Sequence, residues 1–245
     1  MNLNVGCSGF FYKDWKGVFY PENLKMSDWF SYYTSFFNTV EINSTFYHFP
    51  KESNLKRWYK SSPKDFLFSV KVNRYITHIK RFSEVESQLE TFYETVNKSL
   101  KEKLACFLFQ LPASFVYSKE NLEKILKSVK SDFCNVVEFR HKSWWNSEVF
   151  EAFKEKNIVF CSVSAPSLPE DIVNTDSTLY IRFHGKKEWY RYDYTEDELR
   201  KWVKKINQFK SKRLFVYFNN TYSGFAVKNA LLFKKLMRPI QEQML

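Results

Sequence analysis

Val136-Val137-Glu138-Phe139-Arg140-His141-Lys142-Ser143-Trp144-Trp145 decides how the rest of the chain is read. The stretch begins as a short apolar strand. It then turns into a run that carries a carboxylate, a guanidinium, an imidazole and two indoles. Strand alternation puts Val136, Glu138 and Arg140 on one face and Val137 and Phe139 on the other. An unpaired buried charge is very costly, so Glu138 and Arg140 need partners on neighbouring strands.

Working outward, apolar strand patterns fall at residues 5–9, 39–43, 66–71, 104–110, 158–162, 179–183 and 214–218. Helical patterns lie between them. Ser27 is placed to cap a helix running to residue 36, and Ser83 with Glu86 spells a capping box for a helix to about residue 102. Thr195 with Glu198 spells a second box for a helix to about residue 209. Shorter helices are expected at 55–60, 120–129 and 148–156, with a closing helix at 225–237. Residues 165–178 carry Pro166 and Pro169 and read as loop, or as one short turn of helix at most.

Strands alternating with helices argue for parallel βα units, and eight units in 245 residues is the size of a (β/α)8 barrel. A doubly wound open sheet is the rival, but it more often opens on a glycine-rich turn. The chain holds five glycines and no G-x-G-x-x-G. The expectation is an α/β fold: a single TIM-barrel-like domain over residues 1–245, irregular between its sixth and seventh strands.

Composition is that of a globular chain, with 44% hydrophobic and 27% charged residues. No apolar run reaches the length of a membrane span, so no membrane partner is expected. Residues 1–5 show no basic region leading into an apolar segment, which makes the cytoplasm the expected compartment. Cys7, Cys106, Cys134 and Cys161 lack C-x-x-C spacing and read as small buried thiols. The net charge of +11 weights anionic partners, a small molecule or nucleic acid. Solvated lysines on helix faces are the plainer explanation of the same charge. Nothing in the sequence speaks to oligomeric state.

The barrel rule sharpens the reading, because inward side chains alternate with helix-facing ones and active sites lie at the C-terminal strand ends. The inward groups near those ends are Ser8, Glu41, Asn43, Lys71, Gln110, Glu138, Arg140, Arg182, His184 and Asn219, with Ser162 or Ser164 offered by the sixth strand. Two carboxylates stand against three cations, and the surplus favours a phosphate or carboxylate ligand that arginine can bind bidentately. Glu138, ahead of Glu41, is the expected proton-transfer group, and Arg182 on the same face as His184 would keep that imidazole neutral. The alternative is a self-satisfied polar plug.

His48, His78, His141 and His184 all fall at or just beyond strand ends, so a metal held with Glu41 and Glu138 is conceivable. No H-x-x-x-H pair exists and adjacent cations would repel a metal, so none is expected, and no cofactor signature occurs. Trp15, Trp144, Trp145, Trp189 and Tyr190 are expected in loops at the same end, where aromatics on a basic rim suit stacking on bases or sugars.

Several motifs occur in order. They are Glu41-Ile42-Asn43-Ser44-Thr45-Phe46-Tyr47, Phe109-Gln110-Leu111-Pro112, Glu138-Phe139-Arg140-His141 with Ser143-Trp144, Arg182-Phe183-His184-Gly185 and Tyr217-Phe218-Asn219-Asn220. Together with Gly6-Cys7-Ser8-Gly9, Trp15 and Phe19-Tyr20-Pro21, they resemble the YecE-like family, a domain of unknown function. Ala113 stands where a second proline is usual. The resemblance implies a TIM-barrel-like fold and carries no settled activity. The family's barrel is similar in architecture to the endonuclease-IV-like and sugar-isomerase group, which implies nucleic acid or sugar phosphates by analogy alone.

The expectation is an enzyme acting on a phosphate-bearing substrate in the barrel mouth, with nuclease-like or phosphodiesterase-like hydrolysis in view. Arg140, Arg182 and Lys71 would hold the anion, Glu138 or Glu41 and His184 would move protons, and Asn43, Gln110 and Asn219 would orient the substrate. Tyr47, His141 and Trp144 would contribute from the rim. A carbohydrate-directed isomerase or hydrolase, and a non-catalytic nucleic-acid or metabolite binder, are the alternatives.

Overall fold

Strands that are apolar on both faces must be covered on both, and this chain achieves that by curling its sheet into a barrel wrapped by helices. The computed structural model describes residues 1–242. Eight parallel strands, β1 (Asn2–Cys7), β2 (Thr39–Ile42), β3 (Leu67–Lys71), β4 (Leu104–Gln110), β5 (Asn135–Glu138), β6 (Val159–Ser164), β7 (Thr178–Phe183) and β8 (Arg213–Phe218), run in the order β1-β8-β7-β6-β5-β4-β3-β2. The helices are α1 (Trp29–Thr34), α2 (Ser44–Tyr47), α3 (Glu52–Ser61), α4 (Glu86–Leu100), α5 (Lys119–Ser128), α6 (Ser147–Glu155), α7 (Glu196–Ile206) and α8 (Phe225–Glu242). The (β/α)8 architecture read from the sequence is therefore present.

β6 and β7 are joined without a helix, as the prolines of that stretch suggested. The connection lies in extended form along the outer face of β6. Val173 N–H donates to Ser162 Oγ (3.0 Å), Phe160 N–H to Thr175 Oγ1 (2.9 Å), and the Thr175 hydroxyl to Ile158 O (2.7 Å). These contacts correct the sixth strand's facing. Ser162 points outward to serve the connection, and Ser164 is bonded by Tyr194 and Glu170, while Cys161 and Val163 belong to the interior cluster.

Two helix starts also differ from the sequence expectation, whereas the third holds. The Thr195–Glu198 capping box is reciprocal, with bonds of 3.3 and 3.0 Å. Ser27 caps nothing; it bonds Asp28 within a tight turn at Met26–Asp28, and α1 opens only at Trp29. Ser83 is displaced from α4 because Arg81, Phe82 and Glu84 adopt left-handed backbone, with φ of 49°, 65° and 53°. That strained run buries Phe82 and Val85, so tertiary burial overrides the local capping signal.

The barrel closes between β1 and β2 through side chains rather than a regular ladder. A backbone bridge joins Ser8 and Glu41 at the top of the seam. Below it, Tyr33 from α1 accepts from Cys7 N–H (2.8 Å) and donates to Thr39 O (3.0 Å). Asn38 accepts from Val5 N–H (3.2 Å) and donates to Leu3 O (2.9 Å). Gly6 makes the approach feasible, since a Cβ there would lie 2.2 Å from Thr39 O. Removing the Tyr33 hydroxyl strands a buried donor and a buried acceptor together. Tyr33→Phe is expected to destabilise the barrel by roughly 2–3 kcal/mol, read as a fall in the urea midpoint with unchanged slope.

Candidate functional site at the mouth of the barrel

The interior is layered. Leu108, Val136, Val159, Phe215 and Tyr217 fill the lower barrel with apolar bulk. The Tyr217 hydroxyl joins Thr39 Oγ1 (2.5 Å) and Ser69 Oγ (2.9 Å). Above these lies a buried ionic layer centred on Arg182 from β7. Its Nη1 donates to Glu138 Oε2 (2.5 Å) and its Nη2 to Glu41 Oε1 (2.6 Å). Glu41 also accepts from Ser8 Oγ and Tyr180 OH, both at 2.7 Å. Strand alternation delivers these groups from the ends of β1, β2, β5 and β7, Tyr180 and Arg182 sharing one face of β7, which is why one register error would dissolve the layer.

Glu138 is the most heavily bonded member. Besides Arg182 it accepts from Arg140 Nε and from His184 Nε2 (3.2 Å). Burial alone would raise its carboxyl, but Arg140, Arg182 and His184 hold it well below the usual carboxylate range. It is a fixed anion at neutral pH, a counter-ion unsuited to donate a proton. His184 is fully buried, and burial followed by the Arg140 charge pushes it down to about 3. Asn219 Nδ2 donates to His184 Nδ1 (3.0 Å), so the neutral ring carries its proton on Nε2, facing Glu138.

Next to this layer, at the C-terminal strand ends, stand Lys71, His78, Arg140 and Trp189, each partly exposed, with Gln110 buried among them. Lys71 Nζ donates to Gln110 Oε1 (2.8 Å) and sits 3.9 Å from the centroid of the Phe46 ring. Burial, then the Arg182 and Arg140 charges, pull its ammonium down to about 7. Gln110 is fixed in turn by a bond from Nε2 to Leu111 O (2.7 Å). His78 is kept neutral, down to about 4, by burial and by Lys71. The Arg140 guanidinium lies 4.3 Å from the centroid of the Trp189 ring.

The remaining sequence candidates separate from this cluster. Asn43 and Tyr47 line a lateral cavity of about 750 Å³, among Phe10, Phe30 and Trp58, that reaches Glu41 of the ionic layer. The Asn43 Oδ1 is buried there without a partner. His141 stays at the rim but its Nδ1 is engaged by Ser143 Oγ (2.8 Å). Trp144 does not reach the rim at all. It is fully buried, stacked 4.1 Å from the Phe139 ring, with its Nε1 donating to Phe115 O (2.7 Å). Trp15 is buried likewise and donates to Thr221 O (2.9 Å). Tyr180 is the group the residue-type reading passed over; its parity with Arg182 was the available signal. Among the described residues, no group of three or more His, Cys, Asp or Glu is arranged to hold a metal ion.

Removing the guanidinium from between two buried carboxylates leaves them facing one another uncompensated. Arg182→Met is expected to cost roughly 3–5 kcal/mol in urea unfolding, with Arg182→Lys recovering only part. His184 gives a pH dependence of definite sign. The unfolded ring takes a proton near pH 6.5 and the folded ring resists to about 3, so stability falls as pH drops through 6.5. Between pH 7 and 5 the loss through this group is roughly 1–2 kcal/mol, and His184→Gln removes that share, while His78, also held down, keeps a slope of the same sign.

The family model described as "Protein of unknown function DUF72" matches residues 4–244. The UPF0759 protein YunF of Bacillus subtilis is 29% identical over 244 residues, 86% of each chain. The UPF0759 protein YecE of Escherichia coli K12 is 31% identical over 114 residues, 46% of this chain and 42% of that one. A DUF72 family protein from Thermotoga maritima superposes with a TM-score of 0.90 at 33% identity, covering 97% of this chain and 100% of that one. One from Enterococcus faecalis gives 0.84 at 23% over 96% and 95%, a likeness of fold. With the family model spanning nearly all of its length, this chain belongs to the DUF72 family.

Proposed function

We propose that the barrel mouth binds a phosphate-bearing small molecule and acts on it as an enzyme, with Lys71 as the proton-transfer group. The observation that carries this reading is the position of Lys71, desolvated beside two guanidiniums at the open end of the barrel and drawn down to about 7. A group balanced between its two protonation states at neutral pH is suited to general acid–base work. Arg140 and protonated Lys71 would hold the anion, and Gln110 and Asn219 would orient it. Arg182, Glu41 and Glu138 form the rigid charged floor beneath, and neutral His184 passes that orientation on to Asn219.

Anion binding beside Lys71 stabilises its charged form, so binding above pH 7 must draw in a proton. Sulfate, which does not titrate there, is the cleanest probe. Calorimetry at pH 8 in buffers of differing ionisation enthalpy is expected to show uptake approaching one proton per sulfate. Lys71→Met should abolish the uptake, and Arg140→Gln should weaken binding while preserving it. Sulfate and phosphate that bind without proton uptake, or bind equally to Lys71→Met, would sink the assignment.

A second reading, nucleic acid lying across the mouth, is favoured by the rim. Tyr75, Tyr190 and Tyr222 are exposed on loops at this end, and Arg191 stands 5.0 Å from the Tyr222 ring. A steep salt dependence of single-strand binding, insensitive to Lys71→Met, would select it.

A further inference from the structure

At the end of the barrel opposite the mouth, Cys106 lies early in β4 and Cys134 immediately precedes β5. The register pairs Phe107 with Asn135, and Phe107 N–H donates to Cys134 O (2.9 Å). The two cysteines therefore stand side by side on adjacent parallel strands, both turned into the barrel interior. Neighbouring strands lie about 4.8 Å apart, within the roughly 4.4–6.8 Å between Cα atoms that a disulfide spans. Their sulfurs are already 3.0 Å apart, with both thiols free. Cys106 is fully buried and Cys134 partly exposed.

The pair is chemically unequal. Contact with the Cys106 thiol is the main influence that lowers the Cys134 thiol from its ordinary value; burial opposes this and the Arg213 guanidinium assists it. Burial pushes Cys106 well up. Cys134 has the greater thiolate character and the access to solvent, while Cys106 keeps its proton beside it.

We propose that Cys106 and Cys134 form a redox-responsive pair at the base of the barrel, oxidised by hydrogen peroxide to an intramolecular disulfide. The Cys134 thiolate attacks the peroxide. An S–O bond forms, the O–O bond breaks, and the departing oxygen leaves as hydroxide and is protonated to water. Cys106 then gives up its proton and its sulfur attacks the Cys134 sulfenic acid. The S–S bond forms, the S–O bond breaks, and hydroxide leaves with that proton as water. Two thiols lose two electrons and one peroxide becomes two waters. The link joins positions 28 residues apart and ties β4 to β5 far from the anion site.

The test treats the full chain with hydrogen peroxide and follows free thiols, intact mass and peptide maps. Loss of two thiols and two hydrogens, with a Cys106–Cys134 linked peptide, is expected. The melting temperature should rise by roughly 5–10 °C and sulfate binding should be unchanged. Cys106→Ser should stop at a Cys134 sulfenic acid trapped by dimedone, and Cys134→Ser should leave Cys106 reduced. Buried Cys7 and Cys161 serve as internal references. Oxidation of either reference as fast as Cys134, or oxidation of wild-type Cys134 without loss of the Cys106 thiol, would overturn the proposal. Neither result touches the mouth, so the two readings fail separately.

Discussion

Everything above the apolar interior depends on one guanidinium placed between two carboxylates. Glu41 and Glu138 approach from different strands into a layer without solvent, where like charges repel strongly. Arg182 reaches both with different nitrogens of the same planar fork, at 2.5 and 2.6 Å. A lysine presents a single point charge and cannot span two acceptors set by separate strands in this way. The fork thus fixes the lateral spacing of β2, β5 and β7 as well as the charge of the layer.

The mouth inherits its character from that layer. The two glutamates are spoken for by Arg182 and Arg140, so the positive potential reaching upward falls on Lys71 and His78. Both are depressed, and both owe part of that depression to Arg140. Lys71, drawn down to about 7, is the member of this cluster placed to change charge near neutrality, whereas Glu138 is held ionised. For Glu138 this runs against the proton-transfer role that its residue type suggests.

The barrel was legible because its signals are periodic and redundant. Eight apolar strands, separated by helical patterns and poor in glycine, constrain the topology many times over. The inward parity of Glu41, Lys71, Glu138, Arg182 and His184 followed from the same period of two. What escaped the reading depends on contacts that no local pattern encodes. Trp144 looks like a rim aromatic until Phe115 and Phe139 enclose it. Ser83 looks like a cap until the burial of Phe82 twists the chain before α4. Ser162 and Ser164 looked inward because the alternative was apolar, yet they serve a connection whose path across β6 is a tertiary fact. The protonation of Glu138 was equally illegible, since it depends on three partners whose distances only the assembled barrel sets.

The seam between β1 and β2 carries one further implication. Seven of the junctions around the barrel are ladders of parallel backbone pairing, whereas this one is stitched by Tyr33 and Asn38. A ladder opens only when strands separate, but a stitch is released when a single side chain changes rotamer. The hoop therefore has a clasp among its welds. Local opening should begin there, on the timescale of side-chain motion gated by the surrounding core, exposing the amides of Val5 and Cys7 to exchange while the other junctions stay shut. The lateral cavity, with Gly9 on one bank and Asn43 on the other, lies directly above that clasp.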